Sequence, residues 1–398
     1  MGSDEEEINE IFGKMAWLDK NRWLSEPDDN NPNLINFSSS DLKNSEKILT
    51  HFLCYISDRQ MPFSQIWDKG GFVYSDIVHS YSQKDCVTTN LLNPFNENSF
   101  IHRRKDDGTK FELISNDGSV TFTPRYYPSD IKSILQTLMI LEEKEYNKDI
   151  IQFIARIISE FDGDFLVKRI GFALHLLAYY NIGQPKASEY EKYEEMLKKI
   201  EKNKSEVLGI LRNKDKFEEK FEDFKKNKNG ILFNQKRMWC SLRDYIKYDE
   251  TCNYMINGLK DIKEDSLVET WNNLDRTELE LPGDVWNNNS KFRKCLFKNI
   301  SMLSSLNKYE SPRFIREIYT KLKSEIDEGY PESFDVTFDF VPRMCEKGMC
   351  DFCIFNENNK IDELCTKDKS KYCPILLVSC GYKNKCNPKE CVAILADD

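Results

Sequence analysis

A chain of 398 residues is long enough for two or three domains and a sizeable core. With 40 % hydrophobic, 12 % aromatic and 31 % charged residues it reads as a globular protein, and it holds no apolar run of bilayer-spanning length, which excludes a transmembrane helix. The net charge of −10 argues against a nucleic-acid partner, but its distribution argues the other way. Residues 198–247 carry 15 Lys and Arg against 8 Asp and Glu, a local balance of +7, so the rest carries −17. Segregation of this kind can build a basic face on an acidic protein.

The acidic start "MGSDEEEINEIF" has no apolar stretch of the signal-peptide type, and Glu6 stands where a myristoylation motif needs Ser or Thr. A cytoplasmic chain with reduced thiols is expected. Residues 1–50 are rich in Asn and Ser, with "EPDDNNPN" as a loop. The stretch "SEKILTHFLCYISDRQMPFSQIWDKGGFVYSDIVHSY" has helical apolar spacing, broken at Met61-Pro62 and Gly70-Gly71, and predicts two or three helices. In "KFELISNDGSVTFTPRYY" apolar and polar residues alternate around Asn116-Asp117-Gly118, which predicts a β-hairpin. "PSDIKSILQTLMILEEK" opens a helix with Ser129 or Asp130 as its cap.

Two strongly apolar helices follow, "DIIQFIARIISEF" and "DFLVKRIGFALHLLAYYNIG", joined at Asp162-Gly163, with Gly183 at the exit of the second. They read as core, and His175, among Phe172, Leu176 and Leu177, reads as a packed core histidine. Residues 188–227 form a charged helical region whose "EKYEEMLKKIEKNKSE" suits a solvated face laced with i,i+4 pairs. Then come "KNKNGILFNQKRMWCSLRDYIKY", a linker-like stretch at 249–280, "LELPGDVWNNNSKFRKCLFKN", and an amphipathic helix, "SPRFIREIYTKLKSEID", ending near Gly329. No internal repeat is present. The composition divides the chain into residues 1–130, 131–330 and a cysteine-rich 331–398.

Lys236 raises a chemical question. In "NQKRMWCSLRDY" it falls in the first turn of a helix whose Met238, Trp239, Leu242, Tyr245 and Ile246 share one side, while Lys236, Cys240 and Asp244 follow one another at i, i+4 and i+8. A cation at a helix N-terminus is repelled by the helix dipole. That field, the adjacent Arg237 and partial burial would favour a neutral amine, which is a nucleophile able to form a Schiff base with a carbonyl or a sugar C1′. The ordinary alternative is a solvated lysine. Downstream, Pro282-Gly283 makes a tight turn and puts Asp284 at the N-cap of the next helix. Asp284 either only caps that helix or, held ionised by backbone N–H groups, faces a cleft and stabilises a developing cation. The helix it opens carries Lys291, Arg293, Lys294 and Lys298, suited to phosphate contact.

The order "NGILFNQKRMWCSLRDY" then "LELPGDVWNNN" resembles the active-site halves of the helix-hairpin-helix (HhH-GPD) DNA glycosylases, closest to the archaeal 8-oxopurine glycosylase branch. The resemblance covers about fifty to sixty residues, and matches Lys236 to the Schiff-base lysine and Asp284 to the catalytic aspartate. It departs in two places: the two residues are 48 apart, which requires an insertion at 249–280, and the hairpin keeps only Gly230 of the usual Gly-x-Gly. Together with the residue patterns above and the C-terminal cysteines, it points to a mainly α fold: an N-terminal helical part with a small β-hairpin, a helical HhH-GPD-like glycosylase core, and a Cys-rich metal-binding module. The implied activity is that of a bifunctional DNA glycosylase/AP lyase that excises an oxidised purine from double-stranded DNA. Such a chain is a monomer, cytoplasmic and nucleoid-associated, with no membrane partner, and the chemistry itself needs no cofactor. The target base must be flipped out of the stack, and Gln60, Gln65, Trp67 and Trp239 are the candidates to stack on it or read its edge, with Arg237, Lys291 and Arg293 on the DNA backbone. For Phe63 in the same segment a core role is preferred. Two other classes compete: a monofunctional glycosylase in which Lys236 has no role, and a non-catalytic zinc-binding nucleic-acid or protein adaptor.

Eight of the 13 cysteines lie in the last segment, at Cys345, Cys350, Cys353, Cys365, Cys373, Cys380, Cys386 and Cys391. The Cys350-x2-Cys353 knuckle and the surrounding soft ligands suit tetrahedral zinc. Cys350, Cys353, Cys365 and Cys373 form the preferred first set; the other four form a second set or stay free. An iron–sulfur cluster, which some glycosylases of the resembling superfamily carry near the C-terminus, is the alternative. The metal's expected role is structural, because a 68-residue tail builds little core. Cys54, Cys86, Cys252 and Cys295 read as core residues.

Overall fold

The computed structural model describes residues 42–57, 65–83, 86–103, 111–124, 127–161, 163–182, 193–226, 233–247, 249–275 and 278–279. The chain divides into two compact units, one of residues 1–30, 228–236 and 279–398 and the other of residues 31–227 and 237–278. Nearly all described residues belong to the second unit, which is mainly α-helical. Among the described residues no helix is long and apolar enough to cross a membrane.

At the centre of this unit is α1 (Asn44–Ser57). Glu46 accepts the backbone N–H of Lys43 at 2.9 Å and so satisfies a donor at the helix start. From Ile48 to Ser57 every residue is buried. A helix enclosed all round must find internal partners for its polar groups: Thr50 donates to the Glu46 carbonyl at 2.8 Å, and His51 turns to a carboxylate described below. A π-helical turn, Gln65–Gly70, runs straight into α2 (Gly71–Ser82). Gly70-Gly71 is therefore not the break its composition suggests. Gly70 keeps helical angles, and its lack of a side chain lets Phe122 approach, since a methyl group there would sit 3.3–3.5 Å from that ring.

After a single helical turn, Thr88–Leu91, three short strands form an antiparallel sheet in the order β1 (Ile101–Arg103), β2 (Phe111–Ile114), β3 (Thr121–Phe122). Leu113 pairs with Phe122, and both are buried. The tight turn between β2 and β3 is set by Asp117. Its Oδ1 accepts from the Ser115 hydroxyl (2.7 Å) and from the Ser119 hydroxyl and amide (2.6 and 2.9 Å), and Gly118 takes φ 72°. Those bonds, Ser119's first, hold the Asp117 carboxyl down to about 2.

Helix α3 (Tyr127–Leu141) begins two residues before Ser129, so Ser129 and Asp130 lie inside its first turn and are buried rather than serving as the cap. Pro128 suits that earlier start, since a missing N–H costs nothing in the first turn. The helix crosses residue 130 within one unit, so the composition shift there is not a boundary between units. α4 (Ile150–Glu160) is capped by Asp149, which accepts from Ile151 N at 2.7 Å and Gln152 N at 3.1 Å. α5 (Leu166–Tyr179), α6 (Tyr193–Leu211) and α7 (Lys214–Lys226) complete this part. Phe217 of α7 stacks on Phe161 at 4.1 Å and meets Phe172 of α5 edge-on at 5.0 Å. His175 packs on Phe224 (5.6 Å), and burial lowers its pKa to about 4, so the imidazole is neutral at neutral pH.

Some cations of residues 198–247 pair with carboxylates outside that segment. Lys204 reaches Glu143 at 2.7 Å, Arg212 reaches Glu143 and Glu145 at 2.6 Å each, and Arg169 of α5 reaches Glu218 at 2.9 Å. Hydrogen bonds from Lys204 to Glu143 and from Arg212 to Glu145 hold both carboxyls below the usual glutamate range.

Residues 249–280 are a correction to the sequence reading. They are no linker: α9 (Asp249–Asp261) and α10 (Asp265–Asn272) follow α8 (Phe233–Lys247) and bury Met255, Leu259, Leu267 and Trp271. α9 packs on α1 and α4, and Gly258 leaves room for Ile151 of α4. Their apolar residues are few and widely spaced among Asp, Glu, Lys and Asn, which hides a helical stripe that becomes visible only against its partner.

Candidate functional site

α8 carries the candidate nucleophile. Lys236 is its fourth residue and so lies in the first turn, although the helix starts three residues earlier than the apolar spacing suggests. The remaining length is core. Met238, Trp239, Leu242, Tyr245 and Ile246 are all buried, and Cys240 is buried too. Trp239 is a correction to its expected role as a stacking platform for an extruded base. It is 2 % exposed, and its ring lies over Gly171 of α5. A methyl group on Gly171 would stand 2.7 Å from Cη2 and 2.8 Å from Cζ3 of that ring. An indole wedged in a packed core cannot step aside cheaply. Gly171→Ala is therefore expected to destabilise the fold by about 1–3 kcal/mol, read from a urea midpoint.

The far end of α8 is fastened by charge. Asp244 is 5 % exposed. Its Oδ2 accepts from the Tyr55 hydroxyl at 2.5 Å and lies 3.2 Å from His51 Nε2, and both partners come from α1. Its Oδ1 accepts from Arg243 Nε, and Arg243 NH2 also stands 3.0 Å from it. The Tyr245 hydroxyl adds a bond to the Ile48 carbonyl at 3.3 Å, again on α1. Burial alone would raise the Asp244 carboxyl, but the Arg243 guanidinium, with His51 and Tyr55, outweighs it and holds the group below the usual aspartate range. Burial, reinforced by Asp244, pushes the Tyr55 phenol far up, so Tyr55 stays a donor. Asp244 has no role in the sequence reading. A carboxylate close in sequence to the apolar Leu242, Tyr245 and Ile246 was the available signal.

A second carboxylate acts at the start of α5. The residue before this helix, Phe165, has φ 62° and no capping side chain. Glu278 takes that role: Oε1 accepts from Phe165 N at 2.9 Å, and Oε2 from Val167 N at 3.0 Å and Lys168 N at 3.4 Å. Burial lifts the Glu278 carboxyl above the ordinary glutamate range, against the pull of these amides.

No family model, curated protein or solved structure matches the chain.

Of the other expected site residues, Gln60, Asp284, Lys291, Arg293 and the cysteines Cys345, Cys350, Cys353, Cys365, Cys373, Cys380, Cys386 and Cys391 lie outside the described residues. Gln65 and Trp67 belong to the π-helical turn and Arg237 to α8, with their side chains outside the description. Among the described residues no group of three His, Cys, Asp or Glu side chains is arranged to hold a metal ion. A shallow depression lined by Lys260, Val268, Glu269, Asn272 and Asn273 lies where α9 and α10 meet.

Proposed function

We propose that the chain is a bifunctional DNA glycosylase/AP lyase with an HhH-GPD-like helical core, acting on an oxidised base in duplex DNA, a purine such as 8-oxoguanine or 8-oxoadenine. The observation that carries this function is the position of Lys236, in the first turn of a helix whose other turns are locked into the core. The positive helix end disfavours an ammonium there, and the buried length of α8 fixes the amine's point of attachment, which is what precise attack on a sugar carbon requires. The order of Lys236 and Asp284 in the chain supports the same reading.

The chemistry follows without a cofactor. Asp284, ionised, stabilises positive charge on the sugar as the N-glycosidic bond breaks and the base leaves with its electron pair and takes up a proton. The Lys236 amine bonds to C1′, its proton passes to the ring oxygen, and that oxygen leaves as a hydroxyl with the C1′–O electron pair to give an iminium. The iminium acidifies C2′; loss of that proton and cleavage of the C3′–O bond release the 3′ phosphate and nick the strand. The C-terminal thiolates are a soft donor set suited to zinc in a structural role, and an iron–sulfur cluster is the alternative on the same ligands. Incubation with lesion-bearing duplexes tests the function. At least one oxidised purine is released, and the strand is nicked without heat or alkali. Base release with an intact strand would mark a monofunctional glycosylase, and neither event on any lesion would leave a zinc-binding adaptor as the better description.

A further inference from the structure

We draw no further inference here: the strongest candidate, the loop between the Thr88–Leu91 turn and β1, where Phe95 donates its backbone N–H to Asn93 Oδ1 and holds its ring exposed, carries nothing because nothing in the structure shows what covers that ring.

Discussion

On the lyase function proposed above, Lys236→Ala is expected to remove the covalent adduct with abasic DNA. Under borohydride the wild-type chain is expected to become irreversibly joined to the DNA and the variant not, with strand nicking reduced on the order of 10³-fold or more. Only a primary amine can form the reducible imine. The fold should survive the change. Alanine is the best helix former, and deleting a cation beside the positive helix end removes an unfavourable interaction. The apolar grip of α8 comes from Met238, Trp239, Leu242, Tyr245 and Ile246, which the substitution leaves alone. Undiminished trapping by the variant would refute the assignment of the nucleophile.

The second large effect is on stability. Asp244→Ala is expected to cost about 3–5 kcal/mol, seen as a lower urea midpoint at unchanged slope. The substitution takes a buried carboxylate partner away from the Arg243 guanidinium, His51 and the Tyr55 hydroxyl and leaves a void, and the loss of a partner from such a group is far more expensive than its net worth. Tyr55→Phe removes one bond and keeps the ring, so about 1–2 kcal/mol is expected. The sign of the pH dependence follows from the direction of the Asp244 shift. Its folded value lies below the ordinary 3.8, so the contribution is fully present above pH 4 and is lost as the pH falls through the lowered value. Asp244→Ala should flatten that part of the acid limb; an unchanged limb would show that Asp244 is not the group titrating there.

The elements most legible in the sequence were those with dense apolar periodicity. "DIIQFIARIISEF" and "DFLVKRIGFALHLLAYYNIG" announce buried helices, and Ile150–Glu160 and Leu166–Tyr179 are such helices. α9 and α10 were not legible, because Met255, Leu259, Leu267 and Trp271 are apolar islands in charged sequence whose burial depends on α1 and α4. The position of Lys236 in a first turn could be read from the helix face alone. Three things could not. Asp244 and Glu278 gain their importance from residues about 110 to 190 positions away, and no local pattern marks such partners. Trp239 has the composition of a binding aromatic, and only the absent side chain of Gly171 shows where the indole goes.

The enclosure of α1 has a consequence for biosynthesis. Its covering helix α9 begins at Asp249, nearly two hundred residues after α1 ends at Ser57. At ordinary elongation speeds of about 5–20 residues per second, the ribosome needs roughly 10–40 s to deliver that cover. Throughout that interval Ile48, Phe52, Leu53 and Ile56 stand on a nascent helix with one side still unroofed. The early chain is thus a natural client for a chaperone at the exit tunnel, and truncation before Asp249 would leave it one permanently.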